Sequence, residues 1–230
     1  MVDVPERILI VNADDFGRSQ AVNRGVAAAH ENWIVTSASL LVRWPAAEEA
    51  AAYALEHPSL SVGLHVDLGE WFYREGGWEP VYVVPGSPQV EVRSQLARFV
   101  RLVGRPPTHV DSHQHVHRAE PVRSFLAEVA HGLGVPLRGH DGRVKYCGDF
   151  YGQMATGEPL HDAISVEALV RLLGALPAGV TELGCHPGVG TDQDLPYGKE
   201  RWIELQTLSN PKVREALTAN RIELSSFAGI

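Results

Sequence analysis

Two adjacent carboxylates, Asp14 and Asp15, close the apolar run Ile8-Leu9-Ile10-Val11-Asn12-Ala13. Neighbouring carboxylates repel each other, so a folded site keeps both ionised only beside a compensating positive charge. A divalent cation is the usual one. One Asp then binds it while the other stays free as a general base. The plainer reading is an Asx turn in which Asp15 and Gly17 are ordinary turn residues. Three of the eleven histidines fall at comparable places. His65 lies late in Ser61-Val62-Gly63-Leu64-His65-Val66-Asp67, His113 follows Thr108-His109-Val110-Asp111-Ser112, and His186 follows Glu182-Leu183-Gly184-Cys185. Two imidazoles and one carboxylate make a common hydrolytic metal site with positions left open for water and substrate. Asp15, His65 and His113 would supply it, leaving Asp14 as base and His186 as acid on the opposite side. The ligand set points to one divalent ion, Zn, with Mg as the alternative.

Further residues surround this set. Asp67 and Asp111 each lie two positions from a candidate ligand, where a carboxylate can orient an imidazole through its other nitrogen. Arg138 ends a strand-like run and would clamp a substrate oxygen or balance the Asp pair. In His113-Gln114-His115-Val116-His117 the spacing leaves two arrangements open. His113 and His117 can share a helix face, or His113 and His115 one side of an extended segment. Trp71, Phe72, Tyr73, Trp78 and Tyr82 crowd one short stretch, where Trp71 and Trp78 would stack on sugar rings, form a small loop core or make a dimer contact. Singly, each residue has a structural explanation. Their common position at strand ends argues for a shared site.

For these residues to meet, the chain must bring several strand ends to one face. Strand-like segments at Ile8–Asn12, Ser37–Val42, Ser61–Leu68, Thr108–Ser112, Val135–Arg138, Val180–Cys185 and Arg221–Ser225 alternate with helical patterns. The first helix, Ser19–Glu31, places Val22, Val26 and Ala29 on one side with Ser19 as cap. Others run from Pro45 to Leu55, Val90 to Val103, Pro121 to His131, 165 to 175, Lys199 to Leu208 and Pro211 to Thr218. Residues 70–88 and 139–164 read as irregular insertions, and a long loop runs through Pro196. The expected fold is α/β: a deformed (β/α) barrel with about seven parallel strands, in one domain over residues 1–230. In such folds ligands bind at the C-terminal strand ends.

Composition narrows the function classes. The 230 residues, 44% hydrophobic and 21% charged, can bury a sizeable core without staples. A net charge of −8 disfavours nucleic-acid binding, which needs a basic face. No segment is apolar enough for a signal core or a membrane span, so the expectation is a cytoplasmic protein. Cys147 and Cys185 form no paired motif, which excludes a disulfide framework and an all-cysteine zinc site.

The motifs Asn12-Ala13-Asp14-Asp15-Phe16-Gly17, Gly63-Leu64-His65, Pro107-Thr108-His109-Val110-Asp111-Ser112-His113-Gln114-His115-Val116-His117 and Cys185-His186-Pro187 resemble the YdjC-like carbohydrate deacetylase family, of the ChbG and HpnK type. The resemblance runs in order from the N-terminus to about Gly188. It implies a divalent-metal enzyme that removes acetyl groups from N-acetylated sugars such as chitooligosaccharides, often as a homodimer. By motif position it implies the same roles: Asp15, His65 and His113 as ligands, Asp14 as base, His186 as acid. Gln114 stands where some relatives carry histidine. Two rivals remain: another metal-dependent hydrolase on a similar barrel, using His115, His117 and Asp67 for a second metal, and a non-catalytic sugar-binding protein.

Overall fold

Among the described residues, seven parallel strands form a curled sheet whose C-terminal ends gather the site. The computed structural model describes residues 7–140, 142–190 and 197–230. The expected lead-in before the first strand and most of the loop through Pro196 lie outside them. In chain order the elements are β1 (Arg7–Phe16), α1 (Gln20–Asn32), β2 (Ser37–Leu40), α2 (Ala47–Glu56), β3 (Ser61–Val66), β4 (Gly69–Arg74), β5 (Gly77–Val83), α3 (Pro88–Val103), β6 (Val110–Ser112), α4 (Val122–Leu133), β7 (Val144–Cys147), α5 (Val166–Ala175), β8 (Gly179–Cys185), α6 (Gly198–Leu208), α7 (Pro211–Ala219) and β9 (Ile222–Ser225). The main sheet runs β6-β3-β2-β1-β8-β7, with β9 also paired to β1, and every pairing in it is parallel. This is the deformed barrel expected, left open between β6 and β7.

β1 is the central strand. Leu9, Ile10, Val11 and Ala13 are fully buried, as suits a strand covered on both faces. The Leu, Ile and Val side chains each contribute about 1.5–3 kcal/mol of transfer free energy. Helix α1 packs Val22, Val26 and Ala29 inward. The Ser19 hydroxyl accepts the Val22 N–H at 3.2 Å, so the cap read from sequence forms.

Three expectations need correction. Residues 70–88 are not a bare loop: β4 and β5 make an antiparallel hairpin, with Arg74 opposite Gly77. Its two turn residues, Glu75 and Gly76, both have positive φ (49° and 91°), the backbone that matches strand twist in a two-residue hairpin. Val135–Arg138 is not a strand. Only Leu137 bridges to Val110, because β6 is three residues long and offers little to pair with. Residues 139–164 contain a strand instead, β7, joined to β8 from Val144 to Cys147. Lys145 within it is exposed, which hid it from a reading based on apolar runs.

Candidate functional site

Asp14 and Asp15 lie inside β1, and successive side chains of a regular strand point to opposite faces. Both enter the same mouth because the register with β2 shifts between Ala13 and Phe16 and Asp15 adopts a left-handed φ of 64°. A bulge of this kind re-aims a side chain, and the strain is held by the surrounding sheet. Gly17 follows with φ of 91°, and a Cβ there would meet the Leu41 carbonyl at 3.0 Å, so only glycine lets the chain leave the site beside β2.

Asp14 is paired with Arg138, whose Nη1 and Nη2 donate to its two oxygens at 2.6 Å each. The same guanidinium bonds Asp111 at 2.7 Å and Glu182 at 2.6 Å, so one buried cation serves three buried carboxylates. Burial alone would raise the Asp14 pKa, but the Arg138 charge and hydrogen bonds outweigh it and hold the carboxylate ionised below the usual range. Glu182 goes the other way: burial raises it to about 7 despite Arg138.

Asp15, His65 and His113 come together as a group whose donor atoms all lie within 4.8 Å of one another. Asp15 Oδ1 is 3.0 Å from His113 Nδ1 and 3.5 Å from His65 Nε2. It is buried and accepts no well-formed hydrogen bond, while Oδ2 is taken by Arg201. His65 Nδ1 sits 2.6 Å from Asp111 Oδ1, which fixes the ring and turns Nε2 toward Asp15. The pocket also favours positive charge. Burial lowers an imidazole pKa, yet the Asp111 carboxylate and its hydrogen bond raise His65 to about 10. One orphaned carboxylate oxygen, two imidazole nitrogens and an attractive field suit a divalent cation. Asp14, His65 and Asp111 also approach one another, but Arg138 Nη2 already bonds both carboxylates and fills the need for a cation there.

His186 lies across the mouth, with Nε2 3.9 Å from Asp14 Oδ2 and its ring edge-on to Tyr151 and Tyr197. The His-rich segment takes neither arrangement open in the sequence. It is a 3-10 turn in which Gln114 and His115 both have left-handed backbones. His113 therefore faces Asp15, His115 Nε2 lies 3.3 Å from the Tyr146 hydroxyl, and His117 Nδ1 lies 2.7 Å from the Ser112 hydroxyl. Burial, with Arg138 adding to it, lowers His115 to about 3 and His117 to about 4, so both rings are neutral.

Asp67 does not orient His65. β3 ends at Val66, the strand alternation stops, and the carboxylate instead accepts from the Tyr82 hydroxyl at 2.8 Å and the Trp44 indole at 3.1 Å. It braces the hairpin base. Trp71 and Trp78 both line the cleft, which measures about 760 Å³. Trp78 is largely exposed and packs edge-on against Tyr73.

Sequence reasoning missed several polar residues. Arg18 donates to both oxygens of Glu70 at 2.8 and 3.0 Å, tying the hairpin to the site. The Gln114 side chain bonds the backbone N–H and C=O of Trp71, both at 2.8 Å. Glu182 had a readable signal, a carboxylate inside an apolar strand. Arg201 and Glu204 had none: Asp15 lies 186 residues from Arg201, and the partners of Glu204, Tyr197 and the His186 backbone, lie before the helix that carries it.

A family model described as YdjC-like protein matches residues 8–219. A chitooligosaccharide deacetylase from Serratia marcescens is 31% identical, covering 96% of this chain and 98% of its own length. A carbohydrate deacetylase from Brevibacillus brevis is 32% identical, with 96% and 98% covered. Among solved structures, one from Enterococcus faecalis V583, whose description names cellobiose-phosphate cleavage, superposes with a TM-score of 0.79 at 25% identity, covering 97% of this chain and 98% of that one. A family 4 carbohydrate esterase from Streptomyces lividans shares the fold at a TM-score of 0.58 and 14% identity, with 96% and 93% covered.

Proposed function

The chain belongs to the YdjC-like protein family, and from that premise we propose that it hydrolyses the N-acetyl group of an amino sugar, in the manner named for its chitooligosaccharide and carbohydrate deacetylase relatives. The observation that carries the reading is the pairing of an ion-competent Asp15, His65 and His113 group with Asp14 and His186 facing each other beside it.

Asp15, His65 and His113 would hold one divalent ion, Zn in preference to Mg. Such an ion supplies a Lewis acid for the acetyl carbonyl and lowers the pKa of a nearby water. Asp14, kept ionised by Arg138, accepts a proton from the water that attacks the carbonyl. His186 donates a proton to the sugar nitrogen as the C–N bond breaks. An amine leaves poorly as an anion, so this proton matters. His115 and His117, held neutral by burial, do not carry the imidazolium form that an acid needs. The hairpin aromatics form one wall of the cleft and offer flat faces to sugar rings.

Incubating ion-loaded protein with a panel of N-acetylated mono- and disaccharides should release acetate from at least one of them. Absence of acetate across the panel, with the ion bound, would refute the reading. No described helix is long and apolar enough to cross a membrane.

The exposed Trp78 should govern sugar choice. Trp78→Ala is expected to raise KM for oligosaccharides about 2–10-fold, the worth of one aromatic contact, and to leave small acetylated amides nearly unaffected. Equal losses on both classes would assign Trp78 to hairpin stability instead.

A further inference from the structure

The turn that carries His186 hangs from one helical turn of α6. The His186 backbone N–H donates to Glu204, and the Gly188 N–H donates to the Arg201 carbonyl at 3.1 Å. Glu204 is fully buried. Its Oε1 accepts from the Tyr197 hydroxyl at 2.5 Å and lies 3.7 Å from His186 Nδ1. That nitrogen is itself buried and has no hydrogen-bond partner. The other ring nitrogen, Nε2, faces Asp14 across the cleft mouth. Three positions before Glu204, Arg201 grips Asp15. One turn of a single helix thus holds both sides of the site.

A neutral imidazole carries one proton, and the partner of one nitrogen decides which form is present. Glu204 offers His186 Nδ1 only acceptor oxygens. We propose that Glu204 is the positioning residue for His186: it anchors the backbone of the turn and holds the ring proton of the neutral form on Nδ1. Nε2 is then the nitrogen that takes up and releases a proton at the cleft. With Nε2 protonated instead, the neutral ring would point its lone pair at Glu204, where an anion repels it, and the donor side of the cycle would be blocked. This role rests on the deacetylase reading for its purpose but not for its measurement.

The first test needs no substrate. Two-bond 15N–1H correlation spectra of the whole protein should show neutral His186 predominantly as the Nδ1–H tautomer. In the isosteric Glu204→Gln variant, an amide that keeps its oxygen on the His186 backbone N–H turns its NH₂ group to the Oε1 position that faces the Tyr197 hydroxyl and the ring, and the population should move toward Nε2–H. A wild-type His186 found mainly as Nε2–H overturns the proposal, whether or not the variant folds. The second test is kinetic. Glu204→Gln should lower kcat on an N-acetyl amide about 10–100-fold, part of the full worth of a general acid, with KM within about 2-fold. It should lower the rate on an activated acetyl ester much less, because that leaving group needs no proton. Equal losses on amide and ester would show that Glu204 merely supports the fold and would also overturn it. If wild-type protein cleaves no amide at all, the deacetylase reading fails while the tautomer still decides the role of Glu204.

Discussion

Asp14→Asn is expected to lower turnover by about 10²–10⁴-fold, the usual worth of a positioned general base, while the bound ion and the fold persist. The structure explains why the fold should survive. Arg138 loses one of its three carboxylate partners but keeps Asp111 and Glu182, so the buried guanidinium is not stranded. The amide matches the carboxylate in size yet cannot accept a proton from water. Its NH₂ group also faces the Arg138 donors or Asn12 Nδ2, which lies 2.8 Å from Asp14 Oδ1, so a modest drop in melting temperature should accompany the kinetic loss. Chelator competition gives the ion affinity and acetate release gives turnover. A variant that loses its ion while Asp15→Asn keeps it would exchange the roles of the two neighbours.

His65→Ala should weaken divalent-ion binding by about 100-fold or more, beyond the 10–100-fold typical for a residue that only orients a ligand. His65 is the cleanest position for this test. Its removal leaves Asp111 with Arg138 and with the Ser39 hydroxyl at 2.7 Å, so no buried carboxylate is orphaned. Asp15→Asn should show a similar loss of affinity but a larger loss of stability, because Arg201 then keeps a buried charge without its partner. Full ion occupancy in both variants would remove the assignment.

What the sequence reveals depends on how far apart partners lie and on how deeply strands are buried. β1, β3 and β8 are read from their apolar runs, and their ends carry Asp14, Asp15, His65 and His186 to one mouth. β5 and β7 have exposed positions that dilute the strand signal, so a hairpin and a sheet edge pass for loops. The Asp111–His65 contact follows from adjacent parallel strands in register. The Asp67 contact does not, because the strand stops one residue too early. Arg201 reaches Asp15 across 186 residues, and no local periodicity encodes that. The bulge at Asp15 is equally silent, since left-handed aspartate is tolerated without any neighbouring glycine to announce it.

β1 pairs with β9 through Arg7–Ile10 and Ile222–Ser225. The first strand of the barrel therefore shares a ladder with the last. During synthesis β1 leaves the ribosome about 200 residues before β9, a wait of roughly 10–40 s at ordinary elongation rates. Throughout that interval Ile8-Leu9-Ile10-Val11 is a bare, uncharged, strongly β-forming edge, the kind of segment that seeds aggregation. Nascent chains should thus lean on chaperones more than the finished protein's stability suggests. A circular permutant that joins β9 to β1 and opens the chain within the exposed β4–β5 turn would shorten the wait, and its soluble yield should rise.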